Sequence, residues 1–268
     1  CSDLEEIQHP IVREAFRMFD VDSPIELTTF SDIPAGTGLG SSSSFAVGLV
    51  NALHALRRER VTKYTLASEA AHIEIDLLGR VMGKQDHFAA TYGNFNIYTF
   101  NQDETVNVEP VYFEPSILRM LEERLLLFYT GQQRSASEIL QAQDSATGDI
   151  PDLLAAMQEF VQPMAEVLSG KGDLASIGPM LHESWMLKRA VAEGITSKTI
   201  DNYYELAIAA GASGGKILGA GGGGFLLFFV EPQHQQAVTE ALAPLQVIRP
   251  GFDTAGSRIT YYEPSRFS

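Results

Sequence analysis

The chain has 268 residues, with 34 acidic side chains against 19 basic ones and a formal charge of −15. An acidic excess of that size argues against a nucleic-acid or anionic-membrane surface. With 45% hydrophobic and 20% charged residues, the composition suits a soluble globular protein with a full core, in one large domain or two smaller ones, and excludes disordered and collagen-like chains.

The chain opens at Cys1-Ser2-Asp3, without an initiator Met, and runs at once into a polar, helix-like stretch. It lacks the basic head and apolar core of a signal peptide, and its start reads as clipped. Cys1 is the single cysteine, so no internal disulfide is available and a cytoplasmic location is expected. No apolar run approaches the roughly 18 to 20 residues of a membrane-spanning helix.

Ile25-Glu26-Leu27-Thr28-Thr29-Phe30 alternates apolar and polar residues and predicts a strand, broken at Pro34-Ala35-Gly36. From Ser42 the period becomes helical, with Phe45, Leu49, Ala52 and Leu56 on one face and Arg57-Arg58 at the C-terminal end. A second helix is predicted from Thr65 to Leu78, and strands over 94–100 and 106–113. Pro110 and Pro115 mark the expected domain boundary, dividing the chain into 1–115 and 116–268.

The second half opens with the strand Leu125–Tyr129. A helix follows, announced by Ser135-Ala136-Ser137-Glu138 at capping-box spacing. Further helices are predicted over 151–168, 173–192, 196–210 and 233–243. The apolar strand Phe225–Val230 lies between the last two, and an alternating strand Arg258–Tyr262 comes at the end. Strands and helices mix without regular alternation, so the expected fold class is α+β in two domains rather than a doubly wound parallel sheet.

Two segments carry the chemistry. In Pro34-Ala35-Gly36-Thr37-Gly38-Leu39-Gly40-Ser41-Ser42-Ser43-Ser44, alternate glycines between a strand and a helix let the backbone turn tightly around a ligand, and the helix start offers unpaired N–H groups. That is a phosphate cradle. It lacks the Gly-Lys-Ser/Thr of a Walker loop and the spacing of a dinucleotide fingerprint, and it has no charge-neutralising lysine. The second segment, Lys216-Ile217-Leu218-Gly219-Ala220-Gly221-Gly222-Gly223-Gly224, runs directly into a buried strand. Such conformational freedom suits a loop that another backbone or a ligand must approach closely.

A third feature is acidic. Glu74, on the predicted second helix, and Asp86, after Gly83-Lys84-Gln85, are two carboxylates able to divide labour beside a phosphate loop. One would hold Mg²⁺ and the other accept a proton or orient a hydroxyl. The plainer reading of each is a solvated surface charge. His72 and His87 flank them without the spacing of a zinc site and read as structural or substrate-contacting. For a second anion, the candidates are Arg134 with Ser135 and Ser137 at a helix start, then Lys188 and Arg189.

The Pro34–Ser43 loop, the Gly83–Asp86 segment and the Gly219–Gly224 loop, in this order, resemble motifs of the GHMP kinase superfamily. Thr29–Pro34, Gly83–Asp86 and Arg134–Leu140 most resemble its bacterial D-glycero-D-manno-heptose 7-phosphate kinases. The resemblance implies a ribosomal-protein-like N-terminal domain and a ferredoxin-like C-terminal domain, with the active site between them. It implies ATP held by Pro34, Gly36, Gly38, Leu39, Gly40, Ser41, Ser42 and Ser43, with Gly221 and Gly222 closing over them. Mg²⁺ would be held by Ser42 and Glu74, Asp86 would act as base, and Lys84 would keep that carboxylate ionised or touch the transferring phosphoryl group.

The activity so implied is phosphorylation of the anomeric hydroxyl of a heptose 7-phosphate. The alternatives are an unphosphorylated sugar such as fucose or galactose, or an inactive nucleotide-binding module. The expected partner is a small sugar or sugar phosphate, with no nucleic acid and no membrane, and the sequence is silent on oligomeric state. The family's first motif has no match in the 33 residues before Pro34, so a truncated start is expected.

Overall fold

The computed structural model describes residues 3–33, 36–132 and 150–263. Pro34, Arg134, Ser135 and Ser137 lie outside the described residues. The chain forms two compact units. One holds Gly40–Asn94 with the segments before Gly36 and after Phe252, and the other holds Gly36–Leu39 and Phe95–Phe252.

The first unit is helical: α1 (Pro10–Met18), α2 (Ser41–Leu56), α3 (Lys63–His72) and α4 (Gln85–Tyr92). Helix α2 buries Ala46, Val47, Leu49, Val50 and Leu53, residues at helical spacing, against Ile11 and Ala15 of α1 and Leu66 and Ala70 of α3. Thr62 caps α3 by accepting from the Thr65 N–H at 3.1 Å. The predicted helix over 65–78 does not continue regularly. After His72 it widens into a π-helical turn, Ile73–Leu77, with the Leu78 N–H donating to the Ile73 carbonyl at 3.1 Å.

The segment after Phe252 returns to this unit. Asn94 N–H donates to the Asp253 carbonyl at 2.7 Å, Asn51 Nδ2 to Ser257 Oγ at 2.9 Å, and Lys63 Nζ to the Tyr92 and Ala255 carbonyls at 2.9 and 3.0 Å. Contrary to expectation, neither Ile25–Phe30 nor Arg258–Tyr262 is a strand. Both lie outside any regular element and are exposed, Phe30 at 95%, and no strand pairs with either among the described residues. Alternation supplies propensity, but a ladder needs a second backbone to bond with.

The second unit begins with the hairpin β1 (Asn96–Phe100) and β2 (Val106–Pro110), in register Asn96↔Pro110 to Phe100↔Val106. Then come α5 (Pro115–Glu122), β3 (Leu125–Tyr129), α6 (Ile150–Gln158), α7 (Val161–Leu168), α8 (Ile177–Val191), α9 (Lys198–Ala209), β4 (Gly214–Ile217), β5 (Phe225–Phe229), α10 (Gln235–Ala241) and β6 (Gln246–Ile248). One predicted helix, 151–168, is therefore two, broken at Glu159-Phe160. Strand β6, three residues between Pro244 and Pro250, was not anticipated.

The four strands β3–β6 form an antiparallel sheet in the order β4-β5-β3-β6. Counting β3 as first, the spatial order is 2-3-1-4 with helices between first and second and between third and fourth. This is the ferredoxin-like split βαβ arrangement expected of the C-terminal domain. Phe95 and Ile97 pack with Val111, Leu121, Leu125 and Phe229, so the hairpin packs with this sheet.

Leu126, Phe128, Trp185, Ile200, Tyr204, Leu226 and Phe228 fill the main core between sheet and helices. Phe228 is fully buried, its ring 6.0 Å from Phe128 and 5.5 Å from Tyr204. Phe228→Ala is expected to cost about 3–5 kcal/mol, because the cavity cannot collapse between a sheet and a helix layer. A denaturant midpoint left unchanged would contradict this packing.

Candidate functional site

The glycine–serine loop passes from the contacts of one unit to those of the other at the Leu39–Gly40 bond. On the first unit's side, Gly40 precedes α2 with φ +65 and no side-chain cap, so the first turn's N–H groups face outward from the helix start. A Cβ at Gly40 would lie 3.1 Å from Asp86 Cγ, which places the Asp86 carboxyl directly against the loop backbone. Asp86 sits in the first turn of α4, just after Lys84, which takes the N-cap position.

Glu74 occupies the π-helical turn and is 0% exposed. Its Oε2 meets His87 Nε2 at 2.9 Å, its Oε1 pairs with Arg80 Nη1, and the Ser42 hydroxyl bonds to the same carboxylate. Ser42, Glu74, Arg80, His87 and Asp86 thus converge at the start of α2. Burial by itself would raise the Glu74 pKa. The hydrogen bonds from His87 and Ser42, with the charges of His87 and Arg80, outweigh it and hold the carboxyl below its ordinary value. Asp86 is shifted the opposite way: burial pushes it up, His87 pulls it back in part, and Glu74 adds to the rise. Two neighbouring carboxylates are therefore driven apart, one held ionised and one made more basic, the pattern that separates an electrostatic role from a proton-accepting one.

Sequence reasoning located Glu74 and Asp86 but not Arg80. Position 80 is six residues beyond 74, a spacing no regular helix face presents. The π turn and the break at Gly79 bring the two together, and neither has a 3.6-residue signature. The imidazole of His87 is buried and its Nδ1 has no hydrogen-bond partner among the described residues; Ser43 Oγ is in the same position.

On the second unit's side, residues 36–39 lie backbone to backbone against the second glycine loop. A Cβ at Gly38 would be 3.0 Å from the Leu218 carbonyl oxygen, and one at Gly219 would be 2.8 Å from Gly38 Cα. No side chain fits between the two loops. The second loop is anchored by Gly222 N–H to the Ile195 carbonyl and Gly224 N–H to the Gln132 carbonyl, both at 2.8 Å, and by Thr130 Oγ1 to the Gly224 carbonyl at 2.9 Å. Gly222 is buried and Gly221 partly so. Helix α8 adds Lys188, whose Nζ donates to the Gly219 carbonyl at 2.5 Å, whereas Arg189 is taken up by Asp201 at 3.0 Å. Among the described residues no group of three or more His, Cys, Asp or Glu is placed to hold a metal ion, and no helix is long and apolar enough to cross a membrane.

Residues 9–94 match the model of the GHMP kinases N-terminal domain, and 152–245 that of the GHMP kinases C-terminal domain. A D-glycero-alpha-D-manno-heptose 7-phosphate kinase of Campylobacter jejuni is 36% identical over 218 residues, 81% of this chain and 64% of its own, so the chain spans less than two thirds of that relative's length. The crystal structure of a D-glycero-D-manno-heptose 1-phosphate kinase from Bacteroides thetaiotaomicron superposes with a TM-score of 0.65 at 25% identity, covering 95% of this chain and 74% of the other. The fold is shared more widely: a Lactococcus lactis galactokinase gives a TM-score of 0.68 at 18% identity, over 95% and 77% of the two chains. The two family models together match more than half of the residues, and the chain belongs to the GHMP kinase family.

Proposed function

We propose that the protein is an ATP- and Mg²⁺-dependent cytoplasmic sugar kinase that phosphorylates the anomeric hydroxyl of D-glycero-D-manno-heptose 7-phosphate, for the synthesis of a nucleotide-activated heptose. The ATP-binding part spans 1–115 and the C-terminal part 116–268. The observation that carries the reading is the placement of Asp86 against Gly40, at the start of α2, with its pKa raised and Glu74 beside it held ionised. The 36% identity to a heptose 7-phosphate kinase favours that acceptor over unphosphorylated sugars.

In this reading the loop residues Gly36, Gly38, Leu39, Gly40, Ser41, Ser42 and Ser43 hold the nucleotide's phosphates through backbone N–H groups, with Gly221 and Gly222 contributing from the second loop; Pro34, which has no N–H to donate, takes part in nucleotide binding by packing alone. Ser42 and Glu74 offer hard oxygens, a hydroxyl and a carboxylate, that would hold Mg²⁺, and the chemistry it would supply there is neutralisation of charge on the phosphates. Asp86 orients the acceptor hydroxyl and takes its proton as the new phosphorus–oxygen bond forms and the bond to the departing ADP breaks. Lys84 steadies charge around that step. Arg134, Ser135 and Ser137 take the acceptor's distal phosphate.

The test is ADP release measured with heptose 7-phosphate, the dephosphorylated heptose, fucose and galactose. The expected result is a kcat/KM about 100-fold or more higher for the phosphorylated heptose, the discrimination a buried charged contact supplies. Equal turnover with and without the distal phosphate would overturn the acceptor, and no ADP from any sugar would overturn the kinase reading itself.

A further inference from the structure

The first glycine loop has no lysine of its own, and the protein carries a net charge of −15. The second unit nevertheless places two lysines at the loop's partner. Lys188 on α8 and Lys216 on β4 are both only partly exposed, and neither has a carboxylate partner among the described residues. Each is pushed below its ordinary value, Lys188 to about 8, by burial first and then by the charge of Lys216, and Lys216 by burial. Two cations held close enough to disfavour one another are a costly arrangement unless an anion joins them.

Their position says which anion. Lys188 Nζ donates to the Gly219 carbonyl, and Gly219 is the residue whose backbone abuts Gly38. Lys216 stands three residues before Gly219 on the strand that feeds the loop. Lys188 thus reaches, from α8, the short stretch of backbone that faces residues 36–39, and Lys216 lies on the strand that leads into it. The remaining basic side chain on this part of α8, Arg189, is spent on Asp201.

We propose that Lys188 and Lys216 form a phosphate-binding pair for the polyphosphate tail of the nucleotide, supplying from α8 and β4 the positive charge that the glycine–serine loop lacks. This rests on the kinase reading above and adds two binding residues to it. In the free protein Lys188 also ties α8 to the second glycine loop through Gly219; with a phosphate bound, its remaining N–H donors and those of Lys216 turn to the phosphate oxygens.

Isothermal titration of Lys188→Met and Lys216→Met with ATP, adenosine and inorganic tripolyphosphate tests the pair in the absence of any sugar. Thermal melts confirm folding, and Lys188→Arg serves as the charge-keeping variant. The expected result is a rise in Kd of about tenfold or more for ATP and tripolyphosphate in each Met variant, with a shallower salt dependence. Adenosine affinity stays unchanged, and Lys188→Arg recovers most of the loss. Unchanged ATP and tripolyphosphate affinity would overturn the pair while leaving the kinase reading intact. Equal losses for adenosine and ATP would show a structural role and overturn it too. A wild-type protein that binds tripolyphosphate but turns over no sugar would sink the kinase reading and keep the pair. If instead the Met variants bind ATP normally but show a raised KM for a sugar phosphate alone, the pair serves the acceptor and the nucleotide assignment falls.

Discussion

Asp86→Asn is expected to reduce turnover by about 10²- to 10⁴-fold, the range a positioned general base contributes, while the KM for ATP changes little. The same substitution carries a second, opposite signature. Because burial raises the carboxyl above its ordinary value of 3.8, ionised Asp86 opposes folding at neutral pH and costs nothing below the unfolded value, where both states are protonated. The Asn variant is therefore expected to be at least as stable as the wild type at pH 7. That difference should close as pH falls back through the raised value towards 3.8. In the wild type, kcat should fall as pH drops through a pKa above 3.8, whereas the residual rate of the Asn variant stays flat over that range. Loss of activity accompanied by loss of stability at pH 7 would mean that Asp86 is structural.

Glu74→Ala is expected to behave in the contrary way. Removing the carboxylate leaves the buried His87 ring and the Arg80 guanidinium without their shared partner. Breaking a buried pair from one side costs about 3–5 kcal/mol. At about 2–4 °C per kcal/mol for a protein near this size, the melting temperature should drop by roughly 6–20 °C. The pH dependence follows from the sign of the shift. A carboxyl held below 4.5 in the folded state stabilises it fully above 4.5, and that contribution is lost as pH falls through the lower folded value. The gap between wild type and Glu74→Gln should therefore narrow in acid. A melting temperature unchanged at pH 7 would mean that the carboxylate is not the hub of this cluster.

How much of this was legible beforehand depended on whether a signal was local. Helix α2 and strand β3 were legible as elements, the strand from the continuous apolar run Leu125–Phe128 and the helix from the spacing of Phe45, Leu49, Ala52 and Leu56; its buried face is nevertheless a different one, with Leu49 and Leu53 inside and Ala52 and Leu56 exposed. The two glycine loops were legible too, since close approach of backbones at Gly38 and Gly219 leaves the sequence no other choice at those positions. Strand pairing was not: Ile25–Phe30 has the alternation of a strand and no ladder among the described residues, and Gln246–Ile248 has a ladder and no alternation long enough to notice. Glu74 illustrates a different limit. An acidic residue is ordinarily read as solvated, and only the turn at Ile73–Leu77, with Arg80 and His87 arriving from later in the chain, turns it into the buried centre of an ion-pair cluster. The lysines at 188 and 216 escaped notice as a pair because they lie 28 residues apart, on a helix and a strand that only the sheet's topology brings together.

The return of the segment after Phe252 to the helices α2, α3 and α4 has a consequence for biogenesis. The second unit is inserted within the first, so on the ribosome the sheet of β3–β6 has all its strands before the hydrogen bonds from Lys63 to Ala255 and from Asn51 to Ser257 have a partner to form with. Completion then runs out of step with synthesis: the helical unit begins first and is completed last, with its amphipathic faces exposed for as long as the inserted sheet takes to be made. A chain ending at Phe252 and released from the ribosome should accordingly show a protease-resistant sheet unit and a still-cleavable helical one.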